Sequence, residues 1–192
     1  MTIVPLLLFC ALLAAAVWHD VRSRRIPNRL VFAGAVLALM LQALLPGGDG
    51  FFGRHAGALG LLAALEGLGL GLAFLLPMYM LRAMGAGDVK LMAMVGAFVG
   101  PQMIVGATIA TLIAGGVLAV SVALANGSLR KMMRNSYHMA LHSLLGSIGG
   151  DIVRIEAPAA ASGKLPYAIA IASGTLGWLA LSGAGIGTGL PT

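Results

Sequence analysis

The sequence is poor in charge. Only 9% of its 192 residues are Asp, Glu, Lys or Arg, against 59% that are hydrophobic. A soluble domain carries about 25% charged residues, so this chain lacks the polar surface that coats a globule in water. It has a single cysteine, Cys10, which excludes an intrachain disulfide and a cysteine-paired zinc site. Acids are scarce too: Asp20, Asp49, Glu66, Asp88, Asp151 and Glu156 are the full set. The formal net charge of +6 comes with no nucleic-acid-binding motif, and membrane proteins collect Lys and Arg in cytoplasmic loops. The composition therefore predicts an all-α, polytopic membrane bundle forming one domain over residues 1–192, with the lipid bilayer and not nucleic acid as its partner.

What the chain has in quantity is long apolar runs. Residues 2–18 carry no charge, close to the roughly 17–25 residues needed to cross a bilayer core. Arg22, Arg24, Arg25 and Arg29 follow this run, whereas a cleaved signal peptide has its basic residues in front. The run is thus expected to stay as a first span with its N-terminus outside. A polar, basic loop over residues 20–29, punctuated by Ile26-Pro27-Asn28, leads to a second span from Leu30 to Leu45. Pro46-Gly47-Gly48-Asp49-Gly50 reads as a turn-rich outer loop reaching Arg54 and His55. The third span, Ala56 to Leu81, contains a Gly67-x-x-x-Gly71 face for close helix packing, an intramembrane Glu66 and a kinking Pro77. After a loop over Arg82 to Lys90, Val89 to Gly100 is short for a full crossing. Gly100-Pro101 marks a tight turn into a fifth span over 102–125, and a final span runs from Leu165 to Ile186 with Pro166 near its first turn.

Between the last two spans, Leu129, Met132, Met133, Tyr137, Leu141, Leu144, Leu145 and Ile148 recur at helical spacing among basic residues. This predicts a basic amphipathic helix near 129–148 on the membrane surface. Six spans place both termini outside. Of the 12 basic residues, only Arg54 then falls on the outer side, as the positive-inside rule requires. Asp20 and Asp88 fall together on the inner side.

Two acids on one face, inside short motifs rich in glycine and arginine, suggest a carboxylate pair. Two such groups a few ångströms apart resist ionising together and can share one proton. One then acts as general base on a water, and the other protonates the scissile carbonyl or the leaving amine. No metal or cofactor is called for. Glycines beside Asp88 would let an extended substrate backbone approach closely, and Lys90 would keep the site electropositive. The plain alternative is that Asp88 caps the fourth helix and Asp20 pairs with Arg22 or Arg24. His138 and His142 stand four apart, but no third metal ligand accompanies them. Glu66 reads as a carboxyl hydrogen-bonded to a neighbouring helix.

Gly85-x-Gly87-Asp88, followed by Val89-Lys90, resembles the G-x-G-D motif of the type IV prepilin peptidases, which are membrane aspartic proteases. Asp20-x-Arg22 with Arg25-Ile26-Pro27-Asn28 resembles the first-aspartate region of that family, at the cytoplasmic end of its first helix. Lys164-Leu165-Pro166-Tyr167-Ala168-Ile169-Ala170 resembles the proline-aromatic start of its last helix. The resemblance implies Asp20 and Asp88 as catalytic residues, with Gly85, Gly87, Lys90, Arg22 and Asn28 in support. It implies removal of the basic leader from prepilins or pilin-like proteins at the cytoplasmic face of a bacterial inner membrane, in association with pilus or secretion assembly components. The chain lacks the cysteine-bearing N-terminal domain of the bifunctional members, so N-methylation is not implied. It is more similar to the lone peptidases of tight-adherence (Flp-type) pilus systems.

Other readings of the same residues are a small proton- or cation-coupled transporter using Asp20, Glu66 and Asp88, and a non-enzymatic membrane component of pilus or secretion assembly. Proteases of the presenilin or signal-peptide-peptidase type also use G-x-G-D, but with the first aspartate within a helix in a Tyr-Asp context.

Overall fold

Five helices order the chain in the computed structural model, which describes residues 3–53, 57–81, 84–125, 127 and 166–183. They are α1 (Ile3–Ser23), α2 (Asn28–Leu44), α3 (Leu61–Met80), α4 (Ala86–Ala125) and α5 (Tyr167–Gly183). Ile3–Ser23, Leu61–Met80 and Ala86–Val122 are long and apolar enough to cross a membrane, and α2 and α5 are shorter apolar helices. The architecture is an all-helical membrane bundle. The expected surface helix near 129–148, with His138, His142, Asp151 and Glu156, lies outside the described residues, as do Arg54, His55 and Arg82.

Contacts divide the chain into two compact units, Met1–Gly115 with Pro166–Thr192, and Gly116–Leu165. The described part of the second unit is the last stretch of α4. It closes where Gly127, with φ 61, donates its N–H to the Leu124 carbonyl at 3.1 Å, a left-handed stop that glycine adopts without strain.

In the first unit each helix turns one narrow stripe inward. The buried residues of α1 are Pro5, Phe9, Leu13, Ala16 and Asp20; those of α2 are Val31, Gly34, Ala38 and Gln42; those of α3 are Ala64, Gly67, Gly71 and Leu75. Steps of three and four keep such residues on one face of an α-helix. The stripes converge on the first arm of α4, where every residue from Leu91 to Gly100 is buried. A helix that is apolar all round belongs at the centre of its bundle. The expected Gly67-x-x-x-Gly71 face does pack closely. Cβ atoms at these positions would strike the backbones of Gly96 and Met92 respectively, so the two helices touch main chain to main chain.

α4 is broken at Gly100, whose φ of 78 and ψ of 176 are not helical. The two arms run in opposite directions. Gly100 lies beside Leu59 and Gly67, in and next to the loop that joins α2 to α3. Tyr167, at the start of α5, lies against Gly115, and the next N–H, that of Ala168, bonds Asp20 at the end of α1. The start of α4 lies against the turn that follows α1, Gly87 on Ile26 and Lys90 on Asn28. On a straight helix Asp88 and Gly115 would stand roughly 40 Å apart, too far for both to lie beside one end of α1. The chain therefore turns back at Gly100-Pro101. The second arm descends along α5: Trp178 covers Gly106, Thr111 meets Gly174, and Gly115 meets Tyr167.

Gln42 seals this break. It is 1% exposed, donates Nε2 to the Phe98 carbonyl at 3.1 Å, and accepts the Leu59 N–H on Oε1 at 2.7 Å. The α2–α3 loop is pinned further by Gly48 and Ala58, whose N–H groups reach Ala58 and Pro46 carbonyls at 2.9 and 2.8 Å. It plugs its end of the bundle with buried Phe51 and with Phe52, whose ring centroid lies 5.4 Å from that of Phe9.

Two expectations are corrected. Residues 20–23 are helical, not loop: α1 runs to Ser23, the Ser23 hydroxyl donates to the His19 carbonyl at 2.7 Å, and Arg24, with φ 54, ends the helix by donating its N–H to the Asp20 carbonyl at 2.8 Å. The third span starts at Leu61, after Gly60 with φ 91, so residues 57–60 belong to the loop. Glu66 consequently stands in the second turn of α3 and is exposed on the helix surface instead of bonded to a neighbouring helix.

Candidate active site

Asp20 owes its place to the inward stripe of α1, of which it is the last member. It is a helical residue of the final turn and only 7% exposed. A carboxylate so buried needs partners. Its Oδ2 accepts the N–H of Ala168 at 3.1 Å. Ala168 is the second residue of α5, and the first N–H groups of a helix have no partner within it. Asp20 thus supplies from another helix what an N-cap side chain supplies locally, with its negative charge at the positive end of the helix dipole.

Asp88 is the third residue of α4. Its Oδ2 accepts the N–H of Gly85 at 3.1 Å, the reach-back of a capping box. Capping is therefore realised at both acids, each giving one oxygen to a helix start. It does not account for their pairing. Asp20 and Asp88 come from helices far apart in sequence, yet the start of α4 lies against the turn that follows α1, with Gly87 on Ile26 and Lys90 on Asn28. Among the described residues no hydrogen bond joins them, and Oδ1 of each is left without a protein donor.

The two motifs touch at those two points. A Cβ on Gly87 would sit 3.3 Å from the Ile26 Cβ, so a larger residue would lift the start of α4 off the Ile26-Pro27 turn. The Lys90 ammonium donates to Asn28 Oδ1 at 3.0 Å and stands 5.7 Å from the centroid of the Phe32 ring, a cation–π arrangement. Gly85, Gly87, Lys90 and Asn28 are thus brought together around Asp88. Arg22 is not: it is exposed and forms no hydrogen bond or ion pair among the described residues. Asp49 belongs to the α2–α3 loop, and Glu66 to the outer surface of α3. Among the described residues no three His, Cys, Asp or Glu side chains cluster as a metal centre would need.

One member of the cluster carried no chemical role in the sequence reading. Tyr167 is half-buried, precedes the amide that holds Asp20, and rests the phenol end of its ring on Gly115. The signal was the proline-aromatic pair opening the last helix, read there as a helix start alone.

A family model described as the type IV leader peptidase family matches residues 7–120, more than half of the chain and the part that carries both acids. No curated protein and no solved structure matches the chain.

Proposed function

The chain belongs to the type IV leader peptidase family, and from that premise we propose that it is an aspartic endopeptidase whose dyad is Asp20 and Asp88. One observation carries the reading. Two of the few acids in the chain, on different helices, stand at one end of the bundle, where the start of α4 lies on the turn that follows α1 through Gly87 on Ile26 and Lys90 on Asn28. Each is steadied by a backbone N–H and, among the described residues, each has one oxygen uncommitted.

The chemistry follows from that arrangement. Two carboxyls in each other's field hold one proton between them more readily than none. The ionised one draws a proton from a water as it attacks the scissile carbonyl. The protonated one gives its proton to the carbonyl oxygen, so that a gem-diol forms. The proton taken from the water then passes to the leaving amine as the C–N bond breaks, and a gem-diol hydroxyl returns one proton to the pair. Gly85 carries no side chain beside Asp88 and is exposed, which suits a substrate bound as extended main chain. All the groups involved belong to the first compact unit.

Substrate and setting extend the reading. The substrates are prepilins or pilin-like proteins, of the small Flp type, cut between a basic leader and an apolar helix. The bundle makes six passages through a bacterial inner membrane, counting the arms of α4 separately, with both termini outside. The excess of Lys and Arg near the dyad end makes that end cytoplasmic.

Co-expression with a small Flp-type prepilin tests this by the mass of the pilin recovered. Wild type is expected to remove a leader, while Asp20→Asn and Asp88→Asn leave it in place although both variants insert normally. Processing by either variant would end the dyad reading.

A further inference from the structure

Resting on the dyad reading, we propose that Tyr167 is a positioning residue that fixes Asp20 at its place in the dyad. Through its backbone it is tied to Asp20, because the next N–H along, that of Ala168, donates to Asp20 Oδ2 at 3.1 Å. Any shift of Tyr167 therefore moves the anchor of that acid.

What holds Tyr167 is Gly115. The phenol end of the ring rests where a Cβ on Gly115 would lie, and Gly115 is buried. The ring is a wedge between the second arm of α4 and the dyad, seated in a notch that only glycine leaves open. The neighbouring Gly116 has nothing within 4 Å of its would-be Cβ, so the notch is specific to one position. Pro166, half-buried, fixes the entry to α5 by its own ring-locked φ, and its carbonyl accepts the Ile169 N–H at 3.1 Å. Tyr167 is thus constrained from its backbone and from its tip. Tyr167 and Pro166 also lie beyond the residues that the family model matches.

A role in positioning differs from one in substrate contact by its kinetic signature. Misplacing catalytic groups by about 1 Å can cost on the order of 10²-fold in rate, and loss of transition-state stabilisation lowers kcat with KM unchanged. The experiment uses the purified full chain in detergent and a peptide spanning a prepilin leader junction. Tyr167→Leu is expected to lower kcat by roughly 10²-fold with KM unchanged. Gly115→Ala is expected to act the same way, by displacing the ring, while Gly116→Ala keeps wild-type kinetics. The double variant Tyr167→Leu/Gly115→Ala should be no slower than the slower single one, because both changes act through one side chain. Tyr167→Phe keeps the ring in its notch, so a kcat close to wild type is expected, a rescue that a chemical role for the hydroxyl would not give; Gly115→Ala decides the matter should Tyr167→Leu fail to fold.

Wild-type kcat in Tyr167→Leu or Gly115→Ala, a rise in KM alone, a loss in Tyr167→Phe as large as that in Tyr167→Leu, or losses that multiply in the double variant would each overturn the proposal. Asp20→Asn and Asp88→Asn run in the same assay separate it from its premise. If they are inactive while the Tyr167 variants are not, the dyad stands and the positioning role falls. If they are active, the dyad itself falls.

Discussion

Asp20 and Asp88 each do at the residue level what a helix-capping acid does, and neither would stand out by that alone. Their oxygens are used asymmetrically: Oδ2 is tied to a backbone N–H in both, and Oδ1 is left free among the described residues. A tethered carboxylate keeps its direction without surrendering its second oxygen. Lys90 adds to this from outside the pair. Its bond to Asn28 at 3.0 Å ties the second turn of α4 to the first residue of α2, and Gly87 rests on Ile26 just beneath. Lys90→Met removes that tie. Because Lys90 is only half-buried, the expected stability loss is about 1 kcal/mol, read as a lower thermal midpoint in detergent. The start of α4 loses its register against α2, so a fall in processing rate of about 10-fold is expected. Lys90→Arg is not a rescue, since a planar fork replaces a compact ammonium. A Lys90→Met protein that processes its substrate at the wild-type rate would show that the link to Asn28 is dispensable.

At the scale of elements, glycine decides which helices meet. The α3–α4 contact is main chain on main chain at Gly67, Gly71 and Gly96, and in a membrane such close approach replaces the hydrophobic effect as the source of attraction. Gly96→Ala would put a methyl into the backbone of Gly67, which cannot move aside as a side chain could. It is expected to destabilise the bundle by about 2–3 kcal/mol, seen as a lower melting temperature and as aggregation on size exclusion. Gly69→Ala is the control, since on the facing helix α3 it meets open space, and a gain of about 0.5–1 kcal/mol from helix propensity is expected. Equal behaviour of the two variants would mean that the interface is not glycine-packed.

The Gly67-x-x-x-Gly71 spacing was legible in the sequence because a single helix carries it. The inward placement of Asp20, which continues the buried steps Phe9, Leu13 and Ala16, emerged only with the structure, because residues 20–29 read as a loop. The end of α1 was not legible either. Hydropathy falls at His19 because the chain leaves the bilayer there, but the helix goes on for another turn, held by the Ser23 and Arg24 bonds and by the contact of Asp20 with Ala168. Hydropathy marks where a membrane ends, and hydrogen bonding marks where a helix ends. Tyr167 was out of reach for a stronger reason: Gly115, on which its ring rests, is distant in sequence and meets it only because α4 reverses.

At the scale of the molecule, that reversal makes the site. If the α4 arms continued as one rod, Gly115 would be carried roughly 40 Å from Asp88 and the α5 start could not meet both. Gly100-Pro101 turns the chain, Gln42 satisfies the Phe98 carbonyl at the break, and the second arm returns to the dyad end. The arrangement makes a sharp prediction for membrane topology. Gln102 is exposed and lies two residues past the break, so with a reversal it sits at the same water-facing end as the α2–α3 loop. In a straight rod it would lie near the middle of the bilayer. In a Cys10→Ser background, Gln102→Cys is expected to react with a membrane-impermeant maleimide from the same side as Gly48→Cys, and Asn28→Cys only from the opposite side. Protection of Gln102→Cys from both sides, with Gly48→Cys and Asn28→Cys still labelled, would restore the straight rod. It would also remove the route by which Tyr167 reaches both the second arm of α4 and the acids.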